Sequence, residues 1–153
     1  MTRERENFVK FGASFLIFLI VFAFSVFLNT FGFLKLDLVL IFLLVLASFA
    51  RSIEVLFFGL LSVFLMNWQI GLSWEAILFL VLPLGVSVWH RFLRGKPFLQ
   101  NAIINFLGVI IFYAVSVGSR IFSNLGIFSE LIFGDLVFGC VMFMVFRNFS
   151  NQN

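Results

Sequence analysis

The stretch LVLIFLLVLASFARSIEVLFF, residues 38–58, decides the fold. Continued to residue 70 it could form one long apolar helix, but Arg51-Ser52-Ile53-Glu54 sets two charges and a serine at its middle. A charge facing lipid at the centre of a helix costs about 2.5 to 3.5 kcal/mol. A turn at these four residues, separating two short helices, is therefore the expectation.

The same logic extends outward, because charges interrupt Phe- and Leu-rich runs at the intervals a bilayer imposes. Hydrophobic residues make up 63% of the 153 and charged residues 11%, with 26 phenylalanines. A water-soluble domain of this length leaves about a third of its unfolded-chain surface in water, and here nearly all of that surface would be apolar. Lipid removes the difficulty. A hydrocarbon core of about 30 Å needs about 20 mainly apolar residues per helix, with shorter spans tolerated. Six crossings are expected, at residues 11–28, 38–50, 55–70, 75–89, 99–119 and 129–146. Apolar runs without period-2 alternation argue for helices over barrel strands, the only other way to satisfy a backbone in lipid. The expected fold class is all-α: one compact six-helix transmembrane domain over residues 11–146. Residues 1–10 and 147–153 would form short cytoplasmic ends.

Orientation follows from the distribution of Lys and Arg, which concentrate on the cytoplasmic side of short loops. With the amino terminus inside, that side carries Arg3, Arg5, Lys10, Arg51, Arg91, Arg94, Lys96 and Arg147, and the opposite side only Lys35 and Arg120. Trp68, Trp74 and Trp89 fall at the expected interfaces, where indoles anchor at headgroup level. The first apolar run follows a basic segment and contains Ala23-Phe24-Ser25. It is nevertheless too long for a typical signal-peptide core, and reads as an uncleaved span.

Groups able to do chemistry are scarce. His90 is the only histidine and stands in a basic loop, with no second histidine or cysteine to complete a metal site. Cys140, the only cysteine, reads as a small packing residue and excludes an internal disulfide. No cofactor, metal or catalytic residue is predicted. The loop carrying Arg91, Arg94 and Lys96 reads first as a topology determinant meeting anionic lipid headgroups and second as a docking surface for protein; nucleic acid is not an expected partner.

Two polar features fall inside the spans. Asp135 lies several residues into the last span and must face the bundle interior or the outer headgroups, with Arg120 and Tyr113 as candidate partners in a polar intramembrane site. Asn101, Asn105 and Gly108 recur at four and three residues, on one face of the fifth span. Such a face prefers another helix to lipid, through amide hydrogen bonds and close glycine approach, and internal packing is favoured over a substrate-binding face.

The run Phe58-Gly59-Leu60-Leu61-Ser62-Val63-Phe64-Leu65-Met66-Asn67, followed by Gly71-Leu72, resembles the glycine-rich segment of the bacterial rod-shape-determining MreD family. Gly59 fits that family's first glycine. Val63 replaces the second, Asn67 stands where the family has an aspartate, and Gly71 arrives early. An amide at position 67 keeps hydrogen-bonding capacity but not charge. Leu36-Asp37-Leu38 is similar to the opening of the family's second span, and the basic loop after the fourth span also matches.

The resemblance implies a non-enzymatic inner-membrane scaffold of the cell-elongation machinery. Its implied partners are an MreC-like bitopic protein, the glycosyltransferase and transpeptidase of lateral peptidoglycan synthesis, and an MreB-like filament at the cytoplasmic face. On that reading Gly59 and Asn67, and Asn101, Asn105 and Gly108, are candidates for packing a partner helix. An alternative is a small substrate-capture subunit of an energy-coupling-factor uptake system, for which Asp135, Arg120, Tyr113 and Asn67 would have to converge on a cavity. A membrane enzyme ranks last, because clustered Asp, His or Glu motifs are missing.

Overall fold

A computed structural model describes residues 3–31, 37–66, 74–89, 97–117 and 125–151. Among these residues every regular element is a helix, six in order: α1 Arg3–Phe31, α2 Leu38–Ala47, α3 Ser52–Met66, α4 Trp74–Trp89, α5 Pro97–Val117 and α6 Leu125–Asn151. Three segments are long and apolar enough to cross a membrane: Phe8–Leu28, Pro97–Ser116 and Ser129–Asn148. This fits a membrane protein. The remaining helices are apolar but shorter, with 10, 15 and 16 residues in α2, α3 and α4.

The break in the opening stretch is present but falls slightly earlier than the charges suggest. α2 ends at Ala47, and its last carbonyls are taken up by a tightened turn in which Ser48 N donates to Val45 O at 3.0 Å and Phe49 N to Leu46 O at 2.9 Å. Ser52, Ile53 and Glu54 belong instead to the first turn of α3, whose first bonds run from Glu54 N and Val55 N to Arg51 O. A carboxylate in a first helical turn meets the positive end of the helix dipole, so Glu54 starts the helix rather than interrupting it. In α4, Pro83 is buried inside a helix that runs on to Trp89.

α2 is the axis of the bundle. Every residue from Leu38 to Ala47 is buried, and the helix packs against all five others. The surrounding helices are two-faced. On α6 the exposed residues Phe133, Val137, Val141 and Met144 form an outward stripe, and on α1 Leu16, Ile20, Phe24 and Phe27 form another. Their inward faces carry Phe18, Met142, Phe143 and Phe146.

Aromatic rings fill the centre. Phe18 of α1, Phe42 of α2 and Phe58 of α3 form a triangle with centroids 5.4 to 6.0 Å apart, and Phe42 also meets Phe146 of α6 at 5.8 Å. Tilted and edge-on contacts of this kind are worth about 0.5 to 1.5 kcal/mol each beyond the area they cover. In lipid such packing carries much of the association, because apolar area gains little by leaving one hydrocarbon for another.

Contacts between helices also set their directions. Ser48, Leu44 and Asp37 of α2 meet Asn101, Gly108 and Tyr113 of α5 in that order, so the two helices run antiparallel. α3 and α4 are antiparallel through Ser52 with Ser87 and Gly59 with Leu80. α2 and α6 are parallel, with Ile41 beside Gly139 and Phe49 beside Phe146.

Candidate functional site

The polar face of α5 is turned wholly into the bundle. Asn101, Asn105 and Gly108 are all buried, as expected of a stripe that avoids lipid. The Ser48 hydroxyl at the end of α2 donates to Asn101 Oδ1 at 3.3 Å. One turn further along α5, Asn105 lies against Gly139 of α6, where an added Cβ would come within 2.8 Å of Asn105 Nδ2. Neither Oδ1 nor Nδ2 of Asn105 finds a hydrogen-bond partner among the described residues, although both are buried. Gly108 lets α2 approach closely, since a Cβ there would stand 2.7 Å from Leu44 Cδ1.

Gly59 plays the same part between α3 and α4, with Leu80 Cδ2 3.1 Å from where its Cβ would be. Gly59, Asn101, Asn105 and Gly108 are thus helix-packing residues, but the helices they meet are those of their own chain. In the closed bundle these faces are occupied by the chain's own helices, the internal packing favoured for the stripe on α5.

The two acidic and phenolic side chains of the predicted intramembrane site do come together. The Tyr113 hydroxyl oxygen lies 3.3 Å from Oδ2 of Asp135, and Asp135 is fully buried. Of the two positions open to Asp135, bundle interior or headgroup rim, the structure takes the first. Its other oxygen, Oδ1, has no hydrogen-bond partner among the described residues.

A third member of the site was not foreseen. Asp37 occupies the N-cap position of α2, where an aspartate ordinarily accepts from a backbone N–H of the first turn, yet it makes no side-chain cap bond. Instead it hydrogen-bonds to Tyr113 and lies within electrostatic range of Asp135. The chain contains one tyrosine and only two aspartates, Asp37 and Asp135, and all three meet at one junction of α2, α5 and α6.

Asn67, Arg91, Arg94, Lys96 and Arg120 lie outside the described residues. Among the described residues no group of three or more His, Cys, Asp or Glu side chains is placed to hold a metal ion. Cys140 is half-buried on α6 with its thiol free.

No family model, curated protein or solved structure matches the chain. The site therefore rests on its own chemistry: an acid–phenol–acid junction at one end of the α2–α5 contact, a serine–amide pair at the other, and an unsatisfied amide between them.

A signal for Asp37 was present in the sequence. If successive helices alternate in direction, the start of the second, the end of the fifth and the start of the sixth lie at the same level. Asp37, Tyr113 and Asp135 occupy those three places. The same rule pairs Ser48 with Asn101 and Ser52 with Ser87 at the opposite end.

Proposed function

We propose that this protein is an integral membrane scaffold of the bacterial cell-elongation machinery, with six crossings of the plasma membrane and both termini cytoplasmic. The observation that carries this reading is the enclosure of α2 by all five other helices. The interior is filled by the chain's own aromatic and aliphatic side chains, so what the protein offers to others is its outer surface of apolar stripes and its basic rim.

The short helices are compatible with six crossings. α2 spans about 15 Å at 1.5 Å per residue, half of the hydrocarbon thickness, but irregular backbone at membrane depth is tolerated where protein covers it. α2 is so covered. On this topology eight of the ten Lys and Arg residues fall on the cytoplasmic side and only Lys35 and Arg120 on the other, the bias that internal termini call for.

The resemblance at Gly59 to Asn67 supplies the partners: an MreC-like bitopic protein, the glycosyltransferase and transpeptidase of lateral wall synthesis, and an MreB-like filament near the loop of Arg91, Arg94 and Lys96. Docking takes place on outward stripes such as Phe133, Val137 and Val141 on α6, not on the glycine faces. Anionic lipids contact the basic rim. Catalysis forms no part of the proposal.

The test is site-specific photocrosslinking in the native membrane. A crosslinker at Phe133 or Val141 should capture the MreC-like protein or a wall synthase, while one at buried Phe18 or Phe58 should not. Depletion should round rod-shaped cells. Rod shape retained on depletion, with no crosslink to these partners, overturns the scaffold.

One observation favours the uptake-subunit reading, the convergence of Asp37, Tyr113 and Asp135 inside the bundle. A small substrate retained by the purified protein, and crosslinks to a coupling subunit from the same outer positions, would replace the scaffold by that function.

A further inference from the structure

A hydrogen count at the α2–α5–α6 junction leads beyond either reading. A phenol carries one hydrogen to donate and can also accept, whereas an ionised carboxylate can only accept. Tyr113 hydrogen-bonds to two carboxyl groups, and its single hydrogen can serve only one of them. If both aspartates were ionised, the other would face the phenol's lone pairs. The 3.3 Å separation from Asp135, long for an O–H···O bond against about 2.5 to 3.0 Å, fits a hydroxyl drawn between two acids.

Burial decides which acid holds the second hydrogen. Asp135 has no exposed surface, and Oδ1 is buried without a partner. An ionised group in that position would leave a charged oxygen uncompensated in an apolar bundle, the most expensive arrangement available. Asp37 is only half-buried and stands at a helix N-terminus, where the dipole favours negative charge.

We propose that this junction is a proton-binding site. Asp135 carries the proton and donates it to the Tyr113 oxygen, Tyr113 donates its own hydrogen to Asp37, and Asp37 alone bears the negative charge. The ligand is one proton, held by a relay directed from the deepest acid to the more exposed one. Its loss would leave two charges flanking one phenol.

The titratable groups whose side chains are described lie elsewhere. α2 beyond Asp37, and α5 beyond Tyr113, contain no ionisable residue. On α6, Glu130 and Arg147 are exposed, and Cys140 lies more than a turn beyond Asp135. Lys10 of α1 is exposed, and Glu54 of α3 starts its helix at the serine–amide end. The Glu75 side chain of α4 lies outside the described set, as do Lys35 and Arg120, the nearest cations along the chain.

Because the protein has only two aspartates, carboxyl-13C aspartate labelling reports on this site alone. Infrared spectra of the labelled full-length chain in lipid nanodiscs at neutral pH, in H2O and D2O with potassium as the only added cation, should show one protonated carboxylic acid, shifted by deuterium, and one carboxylate. Asp135→Asn should abolish the acid band and Asp37→Asn should leave it. Tyr113→Phe should shift it by removing its acceptor. Lys35→Gln and Arg120→Gln should not create or remove it.

Two carboxylate bands in the unmodified chain, or an acid band that survives Asp135→Asn and disappears in Asp37→Asn, overturns the proposal. So does loss of the acid band on adding sodium, which would assign the site to a metal cation. The labelling measurement needs no variant, so a misfolded Asp135→Asn protein does not remove the test. None of these outcomes depends on which partners the scaffold holds.

Discussion

Tyr113 and Asn105 stand about two turns apart on α5, both buried, and the bundle treats them in opposite ways. Around Tyr113 the chain has gathered its only two aspartates, so a polar group meets polar groups. Around Asn105 it has placed Gly139 and Ile41, and both amide atoms go without a hydrogen bond among the described residues. The first arrangement is a polar junction held by mutual satisfaction. The second is a closely packed seam in which small residues set the spacing and the amide is carried along. Polarity alone therefore does not identify a site in this bundle; partnership does.

The largest test of the contrast falls on the seam. Gly108→Leu inserts a whole side chain where even a Cβ would lie 2.7 Å from Leu44 Cδ1. Leu44 belongs to a helix enclosed on every side, so it has nowhere to retreat. The penalty should exceed the about 1 to 3 kcal/mol of ordinary overpacking. The variant should insert into the membrane yet lose monodisperse elution in detergent and become protease-sensitive. Undiminished folding would show that α2 is not held as tightly as its burial indicates.

Next in size is the polar junction. Tyr113→Phe keeps the ring packed against Phe112, at 5.8 Å between centroids, but removes the hydroxyl that both aspartates share. Leaving a buried acid without its partner costs about 1 to 3 kcal/mol. Thermal unfolding in detergent should occur at lower temperature than in the parent. An unchanged melting temperature would mean that the hydroxyl is dispensable and the junction is no more cohesive than the seam.

How much of this was readable beforehand depends on the kind of signal. The break near Arg51 was legible because charge in lipid is expensive, although its place shifted to residues 48–51 because Glu54 suits a first helical turn. The inward turn of Asn101, Asn105 and Gly108 was legible for the same reason.

What could not be read was which apolar helix lies at the centre. α1 and α2 are both strongly apolar, yet α2 is wholly buried and α1 presents Leu16, Ile20 and Phe24 outward. When the solvent is hydrocarbon, composition no longer separates core from surface. Nor could the internal role of Gly59 be read, since a glycine suits close approach to any helix, whether of the same chain or another. Asp37 was legible only as part of Leu36-Asp37-Leu38, not as a member of the polar junction, for a different reason. A lone acid before an apolar helix looks like a cap, and only the alternation of helix directions brings it level with Tyr113 and Asp135.

The smallest effect sharpens the comparison from the other side. Asn105→Leu replaces two unsatisfied polar atoms by methyl groups in nearly the same branched shape, in a setting lined by Gly139 and Ile41. Removing a buried donor and acceptor that have no partners loses no hydrogen bond and relieves their desolvation penalty, so such an exchange can be neutral or stabilising. The slightly larger methyls must fit where Nδ2 already presses toward Gly139, which offsets part of the gain. The expected result is a melting temperature equal to or slightly above that of the parent, in contrast to the drop at Tyr113. A clear fall would mean that the amide has a bonded partner in the membrane, such as a bound water or a polar ligand group. The seam would then belong to the functional site rather than to the packing.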